Sequence, residues 1–572
     1  MSPAQPDRPA FEVTVAGTAL AAADAADVIT IDVHEELGKH GRCALLVQNW
    51  NPDSRTVRHS DGELFAPGKE LAVAMGFHSD LTPVFAGVVV SLTAHFPAGG
   101  GPVLRVEARS KSVLMEHPPR SRQLAEVTDA DVVSAIAADY SLSADAETGV
   151  TREAVVSDRR SDWDFLKARA AVLGWVVYVR EDKLVMRPPS QPSSPPQLDY
   201  TRDLIEVQLT QDISHAIDDA TGVAWDVSAK EAAESEQGAS SAGIGTGSRK
   251  AHDAAIGDAG WPLRAARDET PADASAEAAD ARAVARERDS ALALVHGTAL
   301  VNGNPALRCD SWIELMGVGD RLGGPHYLTA TRHLLSANGY RTELQLGAPP
   351  ALLPPNPALA SGGISLGLVT DLDDPQGLNR VKVQLPWRQD NGDGVWARLS
   401  TLDAGDGYGT VFVPNVDQEV VIAYVDGEAA YPVVLGQLFN GKAAPPVKVD
   451  SDNAIRQIKT PGGHVVTLAD GDNAAMTVES AKGHSLLIDD ANSKVVVTHQ
   501  DSGNTLTLSS DGIELKAAQG DLVLSAAAGT VKIDAMTFEG KASAPSKFES
   551  SATFDLKASG PLGLKGALVN IN

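Results

Sequence analysis

From Leu506 to the C-terminus the chain repeats one pattern: two apolar residues flank a single residue, then a short run containing Gly, Asp or Ser follows. The pairs are Leu506/Leu508, Ile513/Leu515, Leu522/Leu524 and Val531/Ile533, continuing through Phe538, Phe548, Phe554/Leu556, Leu562/Leu564 and Val569/Ile571. Steps of about six to ten residues describe one short strand per repeat. Successive side chains of a strand point to opposite faces, so each strand offers only two apolar groups to one side. A single chain would leave that face wet and its strand edges unpaired. Three copies wound together meet both needs, because apolar faces join on an axis and edges pair between chains. A single-chain parallel β-helix is the alternative, but its coils usually take about 20 residues or more to enclose a core. The spacing therefore predicts a trimeric intertwined β-helix (a β-prism) over 443–572. Its core is expected to be Leu506, Leu508, Ile513, Leu515, Leu522, Leu524, Val531, Ile533, Phe538, Phe548, Phe554, Leu556, Leu562 and Leu564. The outward positions Thr505, Thr507, Glu514, Lys516, Lys532 and Asp534 would make a smooth polar shaft.

At 572 residues the chain is too long for one core, and three or more domains are expected. Aromatic residues are only 5% of the total, which suits a repetitive β-structure better than a large enzyme core. A formal charge of −27 argues against nucleic acid, whose binding needs Lys and Arg to neutralise phosphates, and against adsorption to anionic lipid. Cys43 and Cys309 lack the close pairing of zinc or redox motifs and are expected to be small buried hydrophobes. The N-terminus carries no secretory signal, and no apolar run approaches the roughly 20 residues of a membrane span. Synthesis in the cytoplasm is the expectation.

Residues 10 to about 110 alternate apolar and polar positions in short strands, such as Phe11–Val15, Ala44–Val47 and Val84–Val90. From Asp129 to Tyr140 the period turns helical, with Val132, Val133, Ile136 and Ala137 on one face and Thr128 as cap. A second helix begins at Ser161, ends near Leu173-Gly174 and leads into a strand, Trp175–Arg180. A proline-rich break follows at 188–196. Residues 228–293 are rich in Ala, Glu, Asp, Ser and Gly, with a helix expected over Ala272–Ala293. Strands return in GTALVNGNPALRCDSWIELMGV and HYLTATRHLLSANGYRTELQLG, and 348–361 is a Pro-rich spacer.

Residues 378–442 read GLNRVKVQLPW, VWARLS and AGDGYGTVFVPNVDQEVVIAYVDGEAAYPVVLGQLFNGK, short strands with tight Gly/Asp turns. In Arg380–Trp387 the valines, leucine and tryptophan are expected inward and the charged residues outward. Trp396, Tyr408 and Phe412 would supply bulk for a small barrel, with Gly405, Gly407, Gly409 and Gly427 at its turns. This stretch resembles the OB-fold module of contractile-injection spike proteins, the family of the VgrG tip proteins of type VI secretion and of contractile phage-tail needles. The run SDWDFLKARAAVLGWVVYV resembles the hub domain that precedes that module.

The resemblance implies a mainly β chain with minor α. It would comprise a hub of duplicated β-barrels with helices (1–347), a Pro-rich linker (348–361), an OB-fold barrel (362–442) and the trimeric spike (443–572). It implies a homotrimer that caps an inner tube protein, nucleates baseplate proteins and punctures a target membrane mechanically. Leu568, Val569, Asn570 and Ile571 would seat a small tip protein of the proline-alanine-alanine-arginine (PAAR) repeat type, with effector cargo a further partner. Some phage needles end in a His-x-His metal apex. Here His464, His484 and His499 stand isolated and away from the tip, so neither metal nor cofactor is expected.

Catalytic look-alikes fail on spacing. Gly363–Gly367 matches G-x-S-x-G, but it enters a strand and lacks the strand–turn–helix context, so Ser365 reads as part of the first OB strand. His34 and His40 are six apart, whereas H-E-x-x-H needs i,i+4. Gly243–Lys250 lacks P-loop spacing, and Asp390–Gly394 lacks the Glu that closes a calcium loop and reads as a hairpin tip. A spike carrying a cell-wall-lytic, lysozyme-like domain is the alternative. Only about a dozen residues separate Asn440–Lys442 from Ile455, and none follow Asn572, so no room for an insert is expected.

Overall fold

The computed structural model describes residues 8–116, 118–189, 192, 194–217, 219–227, 229–234, 266–270, 276–348, 363–385, 393–449 and 451–571. The chain is mainly β and divides into two units, 1–439 and 440–572. Among the described residues no helix is long and apolar enough to cross a membrane.

The first unit is organised by one thirteen-stranded sheet built from both ends of the hub sequence. N-terminal strands Pro9–Val15, Val28–Glu36, Arg42–Gln48, Glu70–Phe77, Asp80–His95 and Val103–Arg109 form one half. Leu204–Gln211, Val295–Asn302, Ser311–Met316, Gly324–Ser336 and Gly339–Leu346 form the other, and the short strands Thr18–Ala19, beside Pro9–Val15, and Gln197–Asp199, beside Ser311–Met316, complete the thirteen. The halves join where Gly324–Ser336 runs antiparallel to Val28–Glu36, with Arg332 opposite His34. Arg332 makes a two-pronged bond to Asp32 at 2.8 and 2.9 Å, and Arg308 pairs with the buried Glu35. Burial alone would raise the Glu35 carboxyl, but the hydrogen bond and charge of Arg308, helped by Arg180, hold it low. Each half keeps its own apolar cluster, one around Ile31, Leu45, Met75 and Leu104, the other around Ile313, Leu315, Leu328 and Leu346. Cys43 and Cys309 are buried free thiols, as their isolation in sequence suggested.

Between the halves sits a small α+β module. Thr128 caps the helix Asp129–Asp139 through a capping box with Asp131, satisfying end N–H groups that have no intrahelical partner. The helix Asp162–Leu173 ends at Gly174 in the left-handed region (φ 61°). The glycine is required twice over, because a Cβ there would also lie 2.6 Å from the Cα of Ala285. Ala285 belongs to the Ala-rich helix Ala276–Leu294, and the residues just before that helix lie outside the described set.

Strands Ile364–Asp371, Val381–Gln384, Val395–Leu399, Pro432–Gln437 and Glu419–Tyr424 close into a five-stranded barrel. Val369, Val381, Val383, Leu385, Ala397, Val420, Ile422 and Val434 fill it. Ser365 lies in the first strand, opposite Ile422, as expected. Two expectations need correction. Tyr408 and Phe412 do not fill the barrel: Gly405 to Tyr408 form a small outlying hairpin, and both aromatics are exposed. Aliphatic side chains suffice for so small an interior, and Trp396 is only half-buried. Arg380, expected outward, is buried. Trp387 and the tip residues 390–392 lie outside the described residues, as do Gly243–Lys250 and nearly all of the 348–361 spacer.

Candidate assembly surfaces

In the second unit, seven strands follow one another as an antiparallel meander: Ile455–Lys459, Val465–Ala469, Ala475–Glu479, Ser485–Asp489, Lys494–His499, Asn504–Ser509 and Gly512–Lys516. Alternation along each strand and in-register pairing between strands sort the side chains into two faces. One face carries two files that run across the sheet. The first is Ile458, Val466, Val478, Leu486, Val497, Leu506 and Leu515. The second is Arg456, Leu468, Met476, Ile488, Val495, Leu508 and Ile513. Within one chain this face is open to water: Val478 is 51% and Ile513 74% exposed. The opposite face is largely polar, and there Thr505 lies opposite Lys516 and Thr507 opposite Glu514.

Of the predicted core, Leu506, Leu508, Ile513 and Leu515 are thus brought together on one face. Leu522, Leu524, Val531, Ile533, Phe538, Phe548, Phe554, Leu556, Leu562 and Leu564 are not. Residues 517–571 contain no strand, and every one of them is exposed, including Leu568, Val569, Asn570 and Ile571 at the end. The rings of Phe548 and Phe554 have centroids 6.3 Å apart. The expected unpaired edges are corrected for 455–516, where hairpins pair the strands within the chain and leave only the two outer edges open. Antiparallel pairing also excludes a parallel β-helix there. Val466, Leu468, Met476, Val478, Leu486, Ile488, Val495 and Val497 were missed as surface residues. The same two-step alternation marks them in VVTL, AMTV, LLI and VVV.

The three histidines of this unit are not isolated. His484 and His499 stack with centroids 4.4 Å apart and planes 14° from parallel, and His484 Nε2 lies 4.0 Å from Asp501. The grouping has the composition of a metal site, but the backbone dictates otherwise. Nδ1 of His484 accepts the Gln500 N–H at 3.1 Å, and Nδ1 of His499 accepts the Ser502 N–H at 3.3 Å. A neutral imidazole that accepts at Nδ1 carries its proton on Nε2. In that tautomer both Nε2 atoms are N–H donors rather than free lone pairs. The second carboxylate–histidine group, Asp24, Asp27 and His59, is closed by the His59–Asp27 contact at 2.8 Å and by Arg58. His40, one of the zincin-like pair, is held by Ser112 and Glu116, each at 2.7 Å.

A second candidate surface is internal, where hub and barrel meet. Arg380 forks to Glu153 of the hub strand Arg152–Arg160, with both bonds at 3.0 Å. Its Nε and an Nη bond Asp374 at 3.1 and 2.9 Å, and its guanidinium lies 5.7 Å from the Trp396 ring. Asp374 also accepts the backbone N–H groups of Gln376, Leu378 and Arg380. Burial pushes the Asp374 carboxyl up, but the Arg380 side chain and these N–H donors outweigh it and hold it at about 2. Arg282 of the Ala-rich helix pairs with Glu428 at 2.8 Å, and Gln123 donates to the Gly394 carbonyl. Among the described residues, Arg380–Glu153, Arg282–Glu428 and Gln123–Gly394 thus tie the barrel to the hub.

Residues 5–337 match the family described as the Alg8 N-terminal domain, and 365–439 match the type VI secretion system/phage-baseplate injector OB domain. The type VI secretion spike protein VgrG2a of Pseudomonas aeruginosa is 33% identical over 85 residues, 14% of this chain and 10% of that protein. The actin cross-linking toxin VgrG1 of Vibrio cholerae is 32% identical over 71 residues, 12% of this chain and 6% of that protein. The chain therefore spans about a tenth or less of the length of these curated relatives. Among solved structures, a chain of the half-lidded Francisella PdpA–VgrG complex superposes with a TM-score of 0.51 at 9% identity, covering 89% of this chain and 88% of that one. The lidless PdpA–VgrG complex gives 0.50 at 9% identity, covering 89% and 98%.

Proposed function

Because the chain belongs to the family of the Alg8 N-terminal domain and is a VgrG-like spike protein, we propose that three copies form the central hub and needle of a contractile injection particle. The observation that carries this reading is the open apolar face of the seven-stranded sheet. Thirteen of its fourteen file positions are Ile, Val, Leu or Met. Burying side chains that are about half exposed contributes roughly 1 kcal/mol each. Thirteen of them amount to on the order of 10 kcal/mol per chain before the cost of association. A face of that kind on a soluble protein marks an interface.

In this reading Leu506 to Leu564 continue the threefold core toward the tip, and residues 568–571 seat a separate tip protein of the PAAR type. The hub caps the inner tube and contacts baseplate proteins. The needle then concentrates the force of contraction on a narrow polar shaft that enters a membrane by being pushed, without lipid affinity. No catalytic step is assigned to this chain, and peptidoglycan release by the purified protein would overturn that part. The direct test is native mass. Three chains give about 179 kDa, three times the 59.7 kDa chain, whereas a stable monomer contradicts the reading.

A further inference from the structure

The turns along one edge of the seven-stranded sheet repeat a motif. Thr460-Pro461-Gly462-Gly463-His464 and Ser480-Ala481-Lys482-Gly483-His484 share hydroxyl, glycine and histidine positions, and Gly503-Asn504 ends the third turn in the same way. In the first two, the hydroxyl accepts the histidine N–H at 3.1 Å. Gly463, Gly483 and Gly503 all take positive φ, between 68° and 93°. The closing side chain then reaches the next turn on the same edge. His464 Nδ1 accepts the Ala481 N–H at 3.4 Å, His484 Nδ1 accepts the Gln500 N–H at 3.1 Å, and Asn504 Oδ1 accepts the Gln519 N–H at 3.1 Å. Three staples of one design fasten successive turns, two with imidazole and one with an amide.

The two kinds of acceptor differ in a single property. An amide oxygen accepts at every pH, whereas an imidazole accepts at Nδ1 only while neutral. We infer that this edge is an acid-sensitive joint. Protonation of His464 and His484 converts each acceptor into a donor facing another donor and releases two staples, while Asn504 keeps the third.

Several charged groups lie near the two rings. Lys459 and Glu479 flank His464 through their pairing with Val465, and Lys482 lies in the turn it staples. Around His484 are Asp501, the stacked His499, Lys482 and Glu479. Imidazole side chains as a class exchange their proton between about pH 5 and 8, which sets the range to be probed.

Hydrogen exchange of the full-length protein tests this, with Gln519 as an internal reference on the same edge. After correction for intrinsic rates, the Ala481 and Gln500 amides should lose about fivefold to tenfold of their protection relative to Gln519 between pH 7.5 and pH 5. His464→Asn and His484→Asn should each retain the staple and abolish its pH dependence. The inference is overturned if Ala481 and Gln500 track Gln519 across that range. It is equally overturned if the asparagine variants keep the wild-type pH dependence.

Discussion

The Arg380 clasp makes the sharpest prediction about how hub and barrel act as one body. Its side chain is 3% exposed, that of Asp374 4%, and that of Glu153 39%. Arg380→Met keeps most of the volume but removes the cation, so Asp374 stays buried with its charge uncompensated. Breaking a buried pair from one side costs about 3–5 kcal/mol. Glu153 can rehydrate, which places the expected loss near the lower end, about 3 kcal/mol. Part of this loss is tied to pH. A carboxyl moved from its usual value to about 2 contributes at most about 2–3 kcal/mol, and water at the Glu153 side reduces this to roughly 1–2 kcal/mol. The folded pKa is depressed, so the contribution is complete above about pH 4 and is lost as pH falls toward 2. Urea denaturation, with hydrogen exchange of the strand Val381–Gln384 as a local probe, should show the full gap between wild type and Arg380→Met at pH 5. That gap should be narrower at pH 3. Arg380→Lys should recover part of the loss, since it restores charge but not the fork. The reasoning is refuted if Arg380→Met costs less than about 1 kcal/mol, or if its effect is the same at both pH values.

Other residues give independent tests. Gly174→Ala meets a left-handed backbone and a close approach to Ala285, and should cost about 2–4 kcal/mol in chemical denaturation. Thr128→Ala removes the capping box and should cost about 1 kcal/mol by the same measurement. Cys43 and Cys309 are fully buried, and burial raises both thiols, Cys309 to about 12. Neither should react with an alkylating reagent at pH 8 in the native protein, while both should label in denaturant, read by intact mass. Val478→Asp, in the centre of the apolar face, should shift the native mass from about 179 kDa to the 59.7 kDa chain. Thr477→Asp on the opposite face should leave the mass unchanged.

Much of the β architecture was legible in the sequence because alternation, turn glycines and caps act locally. Thr128, Gly174 and the valines of Val381–Gln384 behave as their neighbours dictate. What escaped depends on partners far away in sequence. Arg380 reads as an outward charge until Glu153, more than two hundred residues earlier, comes beside it. Tyr408 and Phe412 read as core because aromatics usually are, but a barrel filled by aliphatics leaves them no space. The joining of the two hub halves through Gly324–Ser336 and Val28–Glu36 has no local signature either. The histidine staples lay in plain view as T-x-x-G-H and S-x-x-G-H, yet their meaning depends on which N–H each ring faces.

The apolar ladder at first posed two problems together, unpaired edges and a wet face, and the structure separates them. Over 455–516 the hairpins satisfy the backbone ladder within one chain, so only the face remains to drive association. Over 517–571 neither requirement is met within one chain. If three chains form the needle, its base should exist before assembly and its distal part only after it. The monomer expected from Val478→Asp makes this measurable. Its amides in the central strands, from Val465–Ala469 to Asn504–Ser509, should stay protected from exchange, because their hydrogen bonds are intramolecular. Amides of 521–571 should exchange freely in that monomer and become protected in the wild-type trimer. Protection of 521–571 in the monomer would mean that the distal segment folds alone, and the threefold argument would then lose its strongest physical ground.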